Sequence, residues 1–136
     1  MIHQWPLRVY YEDVDLAGIV YYANYLKYLE RGRSEMVREA GISQLEMKAA
    51  GLVFAVRRVE ADYLKPARYD DELVVETRLD TLKGASFDMP QRVLRGETLL
   101  LEARVKVVVL NAQGRAARIP ADIRAKVTAL TADDSA

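Results

Sequence analysis

Cysteine is absent from this 136-residue sequence, and histidine, tryptophan and phenylalanine occur only one, one and two times. Without a thiol there is no cysteine nucleophile, no disulfide and no thiolate metal site. The single histidine, His3, stands in a segment expected to fray, so neither histidine catalysis nor a histidine-based metal site is expected. No charge of one sign dominates, since 20 Lys and Arg are matched by 20 Asp and Glu. That balance gives nucleic acid or another polyanion no general electrostatic hold. No run approaches the ~20 apolar residues of a membrane-spanning helix, and the N-terminal stretch lacks the apolar core of a signal peptide. A cytoplasmic location with no membrane span is the expectation.

What remains is ordinary globular composition, with 51% hydrophobic and 29% charged residues. The length suits one domain, expected over residues 1–130, with a loose tail over 131–136. Leu7, Val9 and Tyr11 alternate with Arg8, Tyr10 and Glu12, which predicts a half-buried first strand. A loop carrying Asp13, Asp15 and Gly18 then feeds a long amphipathic helix from about Tyr22 to Ala40. Tyr22, Tyr25, Leu26, Leu29, Met36, Val37 and Ala40 form its apolar stripe at three- and four-residue steps, with Gly32 and Arg33 in the middle turn. Gly41 suits the position just past the helix, and Ser43 with Glu46 predicts a capped second helix ended by Gly51.

From Leu52 the period changes to two. A long strand to Tyr63 is disturbed at Arg57 and Arg58, where a bulge is expected. Further strands follow at Leu73–Leu79, Ser86–Leu94 and Leu99–Val109, with turns at Pro66–Asp71, Lys83-Gly84 and Gly96-Glu97. Pro90 lies inside the second of these, where it cannot donate a ladder hydrogen bond, so an edge or a bulge is expected there. Pro120–Leu130 predicts a short terminal helix. One long helix followed by a run of antiparallel strands is an α+β pattern, in which the helix stripe needs a sheet to bury against.

The chemistry-bearing stretch is Tyr10–Glu35. A carboxylate just ahead of a helix lies beside free backbone N–H groups and the positive end of the dipole, a place able to hold a developing negative oxygen. Asp13 and Asp15 both qualify. Each also has the plainer role of organising the loop through hydrogen bonds to nearby amides.

The run WPLRVYYEDVDLAGIVYYANYLKYLERGRSEM, with Asp15-Leu16-Ala17-Gly18-Ile19-Val20-Tyr21 at its centre, resembles the signature of 4-hydroxybenzoyl-CoA-type thioesterases of the hotdog superfamily. It is most similar to the YbgC-like acyl-CoA thioesterases, and the likeness continues through Lys65–Asp71 and Gln91-Arg92-Val93. The resemblance implies a hotdog fold, in which a curved sheet of about five antiparallel strands wraps one long helix. It further implies homodimers joined at their sheet edges, with active sites at the interface and assembly to tetramers in some cases. The implied activity is hydrolysis of an acyl-CoA without a metal or other cofactor.

Within that resemblance, Asp15 falls on the catalytic carboxylate, acting as nucleophile or as general base on water. The backbone N–H of Tyr22 falls on the oxyanion donor. Gly18, Val20, Tyr25 and Glu30 are candidates for substrate binding, and Lys83 and Arg118 are candidates for the coenzyme A phosphates. Glu30 lies near the Asp that hydroxybenzoyl-specific relatives place toward the phenol, with a solvated helix face as its plainer role. Tyr21, Tyr22, Tyr25 and Tyr28 are available to shape an acyl pocket or simply to pack the helix. Two positions depart from the pattern. Val14 stands where Thr or Cys is usual, and Tyr22 stands where YbgC-like proteins often carry His. A phenol, with a pKa of about 10, cannot replace that base near neutral pH.

Competing functions are hydrolysis of an acyl-carrier-protein thioester, which would want a basic docking patch, and a binding protein that holds an acyl-CoA or a lipid-synthesis or cell-envelope partner without turnover. The resemblance adds a Tol-Pal-associated partner to that second reading. A hotdog dehydratase is disfavoured because His3 is wrongly placed for the usual catalytic histidine.

Overall fold

The computed structural model describes residues 1–131. Among these residues the chain runs β1 (His3–Arg8), α1 (Asn24–Glu39), α2 (Gln44–Ala49), β2 (Val53–Tyr63), β3 (Glu72–Thr77), β4 (Ser86–Arg95), β5 (Thr98–Leu110) and α3 (Ala121–Leu130). The strands form one five-stranded sheet in the order β1-β3-β4-β5-β2, with every neighbouring pair antiparallel. This is the α+β layout expected, with α1 laid across the sheet. Of the proposed tail, residues 132–136 lie outside the described residues.

The sheet's inner face comes from alternation. Leu73, Val75 and Thr77 of β3, Phe87, Met89, Gln91 and Val93 of β4, and Leu101, Ala103, Val105, Val107 and Val109 of β5 are buried. On the opposite face Arg92 pairs with Glu76, and Arg104 and Lys106 both pair with Asp88. α1 buries Tyr25, Tyr28, Leu29, Gly32, Met36 and Val37 against the inner face. At Gly32 the helix approaches so closely that an added Cβ would lie 2.7 Å from Val75 Cγ1. Glycine is therefore required there by packing, not by φ. α3 closes the far end, where Ile123, Val127 and Leu130 join the core cluster containing Met36 and Val109.

The turns follow their residues. Gly41 and Gly51 end α1 and α2 at φ +82° and +85°. Ser43 Oγ accepts the Glu46 amide at 3.1 Å. The register of β2 against β5 shifts between Val56 and Arg58, so Arg57 is the bulged residue.

Four expectations are corrected. The first strand ends at Arg8 and begins at His3; Tyr11–Asp13 is a single 3₁₀ turn. The cause is Asp13, whose Oδ2 accepts the Tyr10 amide at 2.7 Å and bends the chain out of the sheet. His3 is consequently not frayed. It is 5% exposed, pairs with Thr77, and its Nε2 lies 3.0 Å from Glu39 Oε2 at the C-terminal turn of α1. The helix stripe is also rotated from the one expected, since Tyr22 and Leu26 are exposed and Tyr28 is buried in their place. Finally, Pro90 occupies an interior strand, without a bulge at its own position. The β3–β4 ladder stops at Thr77–Gln91, and beyond it Pro90 only accepts, from the Arg78 amide at 2.9 Å. Its missing N–H leaves the reciprocal bond to Arg78 O unmade, so the ladder breaks there and pairing resumes where Asp80 and Asp88 exchange both bonds.

Burial would raise the carboxyl of Asp88, but Lys106 and Arg104 more than offset this and hold it below the ordinary aspartate range. A lowered folded-state pKa contributes stability above the unfolded value, near 3.9, that is lost as pH falls through the folded one. Asp88→Asn is therefore expected to lower the urea midpoint at pH 7 and to narrow the difference in midpoint between pH 7 and pH 3.

Candidate active site

The loop from Val14 to Val20 is a tight hairpin built by Asp15 itself. The Asp15 amide donates to Ile19 O at 3.0 Å, Gly18 N donates to Asp15 O at 2.9 Å, and Val14 bridges Val20. Gly18 holds φ +77°, a left-handed conformation that glycine adopts freely. The Asp15 side chain is exposed; its Oδ1 accepts the Ala17 amide at 2.9 Å, while Oδ2 has no hydrogen-bond partner among the described residues. Val20 N donates to Ala67 O at 2.8 Å, and this fastens the hairpin to the 66–71 segment. Val14, where the resemblance would put a hydroxyl or thiol, packs against the core and offers Asp15 no side-chain hydrogen bond.

Asp13 has the structural role. It is buried, its Oδ1 accepts from Asn24 Nδ2 at 3.1 Å, and its carbonyl accepts the Tyr21 amide at 3.0 Å. These bonds fix the turn that enters α1. The entry continues through Asn24 N to Tyr21 O at 2.8 Å and Leu26 N to Ala23 O at 3.2 Å. Tyr22 thus lies in the turn before the first residue of α1. Among the described residues its N–H has no acceptor, and its carbonyl accepts from the Tyr63 hydroxyl at 2.9 Å.

Asp15, Val20, Tyr21, Tyr22 and Tyr25 meet Tyr63, Leu64, Lys65 and Pro66 around an open cleft of about 440 Å³. Tyr63 was not singled out from sequence, because its alternation marks only a strand end. Its ring meets Tyr25 at 5.4 Å and Tyr22 at 6.3 Å, so three tyrosines form one wall. The surroundings of two of them raise the phenol pKa. Burial first, then Tyr25 and Tyr22, pushes Tyr63 up, and burial likewise pushes Tyr25 up despite its bond from the Ala67 amide. Tyr21 is raised mainly by Tyr22, with Asp15 adding a smaller contribution. Asp15 is the carboxylate in this lining, with Lys65 as a cation on its rim.

Tyr25 also holds the wall in place, since its hydroxyl accepts the Ala67 amide at 2.9 Å in a buried setting. Tyr25→Phe leaves that amide unpaired, at a cost of about 1–3 kcal/mol. Urea unfolding checks this as a lowered midpoint at unchanged slope.

The other candidate residues divide. Gly18 shapes the hairpin and does not line the cleft, whereas Val20 and Tyr25 do. Glu30 is exposed, accepts from Ser34 Oγ at 2.9 Å, and lines a different pocket between α1, β2 and β4. Lys83 and Arg118 are brought to one end of the sheet, where Ile119 N donates to Gly84 O at 2.9 Å. Lys83 shares a shallow depression with Arg57, Arg58, Ser86 and Lys106, away from Asp15 of the same copy. Among the described residues no three of His, Cys, Asp and Glu gather to hold a metal ion. No helix among them is long and apolar enough to cross a membrane.

Residues 9–127 match the model of the thioesterase-like superfamily. The acyl-CoA thioester hydrolase YbgC of Escherichia coli is 42% identical over 111 residues, covering 81% of this chain and 83% of the relative. The acyl-CoA thioesterase YbgC of Haemophilus influenzae is 40% identical over 108 residues, 79% of each chain. A crystal structure of a "probable thioesterase" from Bartonella henselae superposes with a TM-score of 0.84 at 39% identity, covering 88% of this chain and all of that one (100%).

Proposed function

We propose, since this chain belongs to the thioesterase-like superfamily and carries its hotdog fold, that it hydrolyses the thioester of an acyl-CoA in the cleft between Asp15 and Tyr22. As a thioester hydrolase it needs a group that delivers oxygen to the carbonyl carbon and one that holds the oxyanion. The reading is carried by one observation: a carboxylate with an unengaged oxygen and an unpaired N–H at a helix entrance line the same cleft. Asp15 attacks the carbonyl to form a mixed anhydride, or draws a proton from the water that attacks. The Tyr22 N–H, supported by the α1 dipole, receives the oxyanion; one such donor is worth ~3 kcal/mol of barrier. The coenzyme A thiolate leaves and takes up a proton, and in the anhydride route water then cleaves the anhydride, releasing the acid and restoring the Asp15 carboxylate.

A second copy completes the site in this reading. β2 is an edge strand of 11 residues with Val53, Val56, Val59 and Tyr63 exposed along it, a surface that invites another strand. Antiparallel pairing of two β2 strands about their midpoint, Arg58, puts Tyr63 of one copy beside Val53 of the other. The Asp15 cleft then faces the end of the second copy that carries Lys83, Arg118 and Arg57, which would hold the phosphates, and the Glu30 pocket, which would take the acyl end. The cytoplasm is the proposed location.

Free-thiol release from short, long and aromatic acyl-CoAs by the purified protein tests the reading. Turnover of at least one is expected. Binding of acyl-CoA with no release from any of them would favour the binding-protein reading that Val14 and Tyr22 support. Release from acyl carrier protein alone would move the substrate to that carrier.

A further inference from the structure

The pocket between α1, β2 and β4 is separate from the Asp15 cleft within one copy, and one side chain in it is electrically incomplete. Arg33 lies half-buried on the third turn of α1, and its Nη1 donates to Gln91 Oε1 at 3.1 Å. Gln91 is 1% exposed, and its Nε2 donates to Leu29 O at 2.9 Å and to Thr77 Oγ1 at 3.0 Å. Both amide protons therefore face acceptors, and the oxygen left over can only receive from Arg33. Among the described residues the guanidinium is thus anchored by one nitrogen, and the rest of its fork has no hydrogen-bond partner.

Among the described residues no carboxylate comes within ion-pair distance of Arg33. Glu30, one turn earlier, is near enough to favour the charged guanidinium slightly, but its Oε1 is occupied by the Ser34 hydroxyl. Partial burial disfavours the charge of Arg33, Glu30 offsets only part of that, and an anionic occupant would offset more. Around it the lining is Phe54, Phe87, Met89 and Val107, an apolar floor. The volume is about 160 Å³. At ~30 Å³ per water-sized group this holds roughly five such groups, enough for a carboxylate and a short hydrocarbon stem. The neighbouring Glu30 disfavours a dianion such as phosphate.

We propose that this pocket binds a small carboxylate on a short apolar stem, with Arg33 as its receptor. Two sources supply that chemistry. One is the distal carboxylate of a dicarboxylic acyl thioester; this arm rests on the dimer reading above, in which the pocket of one copy faces the Asp15 cleft of the other. The other is a free short-chain acid.

The test compares kcat/KM for glutaryl-CoA and its neutral analogue valeryl-CoA, and separately titrates valerate and the uncharged valeramide by NMR. Each is done with the parent, Arg33→Gln and Arg33→Lys. A charge-assisted bidentate pair predicts a glutaryl preference on the order of 10- to 100-fold in the parent. That ratio should fall close to one in Arg33→Gln and to an intermediate value in Arg33→Lys, which keeps the charge but loses the fork. This result assigns the pocket to the acyl group. Valerate binding that valeramide lacks and Arg33→Gln abolishes, with no thioester preference, assigns it to a free acid. If Arg33→Gln fails to fold, Arg33→Lys carries both comparisons. Equal handling of charged and neutral probes by the parent, or a preference unchanged in the variants, overturns the proposal. If no thioester is hydrolysed at all, the catalytic reading fails instead, and the valerate titration alone decides the pocket.

Discussion

Leu29→Ala is expected to cost about 2–5 kcal/mol of stability, the range for deleting a fully buried leucine side chain from a core that cannot collapse around it. Leu29 is 0% exposed, in the cluster that joins Tyr25 and Tyr28 of α1 to Leu73, Val75 and Val93 of the sheet. Collapse is restrained there from two directions. The close approach of Gly32 to Val75 fixes the spacing of helix and sheet, and Gln91 Nε2 is bonded to Leu29 O at 2.9 Å. The void would therefore persist. Leu26→Ala is the control, since Leu26 is 42% exposed and should change stability by no more than ~0.5 kcal/mol. Urea titration of both variants checks the pair, with a large drop in midpoint for the first, almost none for the second, and an unchanged slope in each.

That contrast also marks how far the sequence could be read. Leu26 and Leu29 are the same residue type on the same apolar stripe, and periodicity alone placed both inside. Only the sheet decides which side of the stripe is covered, and its approach at Gly32 turns Tyr28 inward and leaves Tyr22 and Leu26 out. Features written in local chemistry were legible: the alternation of β5, the glycine ends of α1 and α2, the Ser43 cap and the bulge at Arg57. Features that depend on distant partners were not. His3 is ordered by pairing with Thr77 and by Glu39, and neither can be anticipated from a strand pattern beginning at Leu7. Pro90 sits in an interior strand and interrupts its pairing, which resumes only where Asp80 meets Asp88. The same division holds in the site. The hairpin of Asp15 and Gly18 could be read from spacing, whereas the wall needs Tyr63, 41 residues beyond its partner Tyr22.

Asp15→Asn is the second large effect expected, and it bears on the catalytic assignment itself. The amide is nearly isosteric and can still accept the Ala17 amide through its oxygen, so the hairpin and the cleft should keep their shape. What disappears is the capacity to attack a carbonyl or to take a proton from water. The phenols along the cleft cannot substitute, because their surroundings hold Tyr21, Tyr25 and Tyr63 above the ordinary tyrosine pKa. Asp13 cannot substitute either, since it is buried with one oxygen bonded to the Tyr10 amide and the other to Asn24. Loss of the general base or nucleophile should lower kcat by roughly 10²- to 10⁴-fold with little change in stability. The most direct measurement is free-thiol release from the best acyl-CoA substrate by the parent and by folded Asp15→Asn. A collapse of kcat in the variant is predicted, and equal rates in the two proteins would contradict the assignment of Asp15 as the catalytic carboxylate.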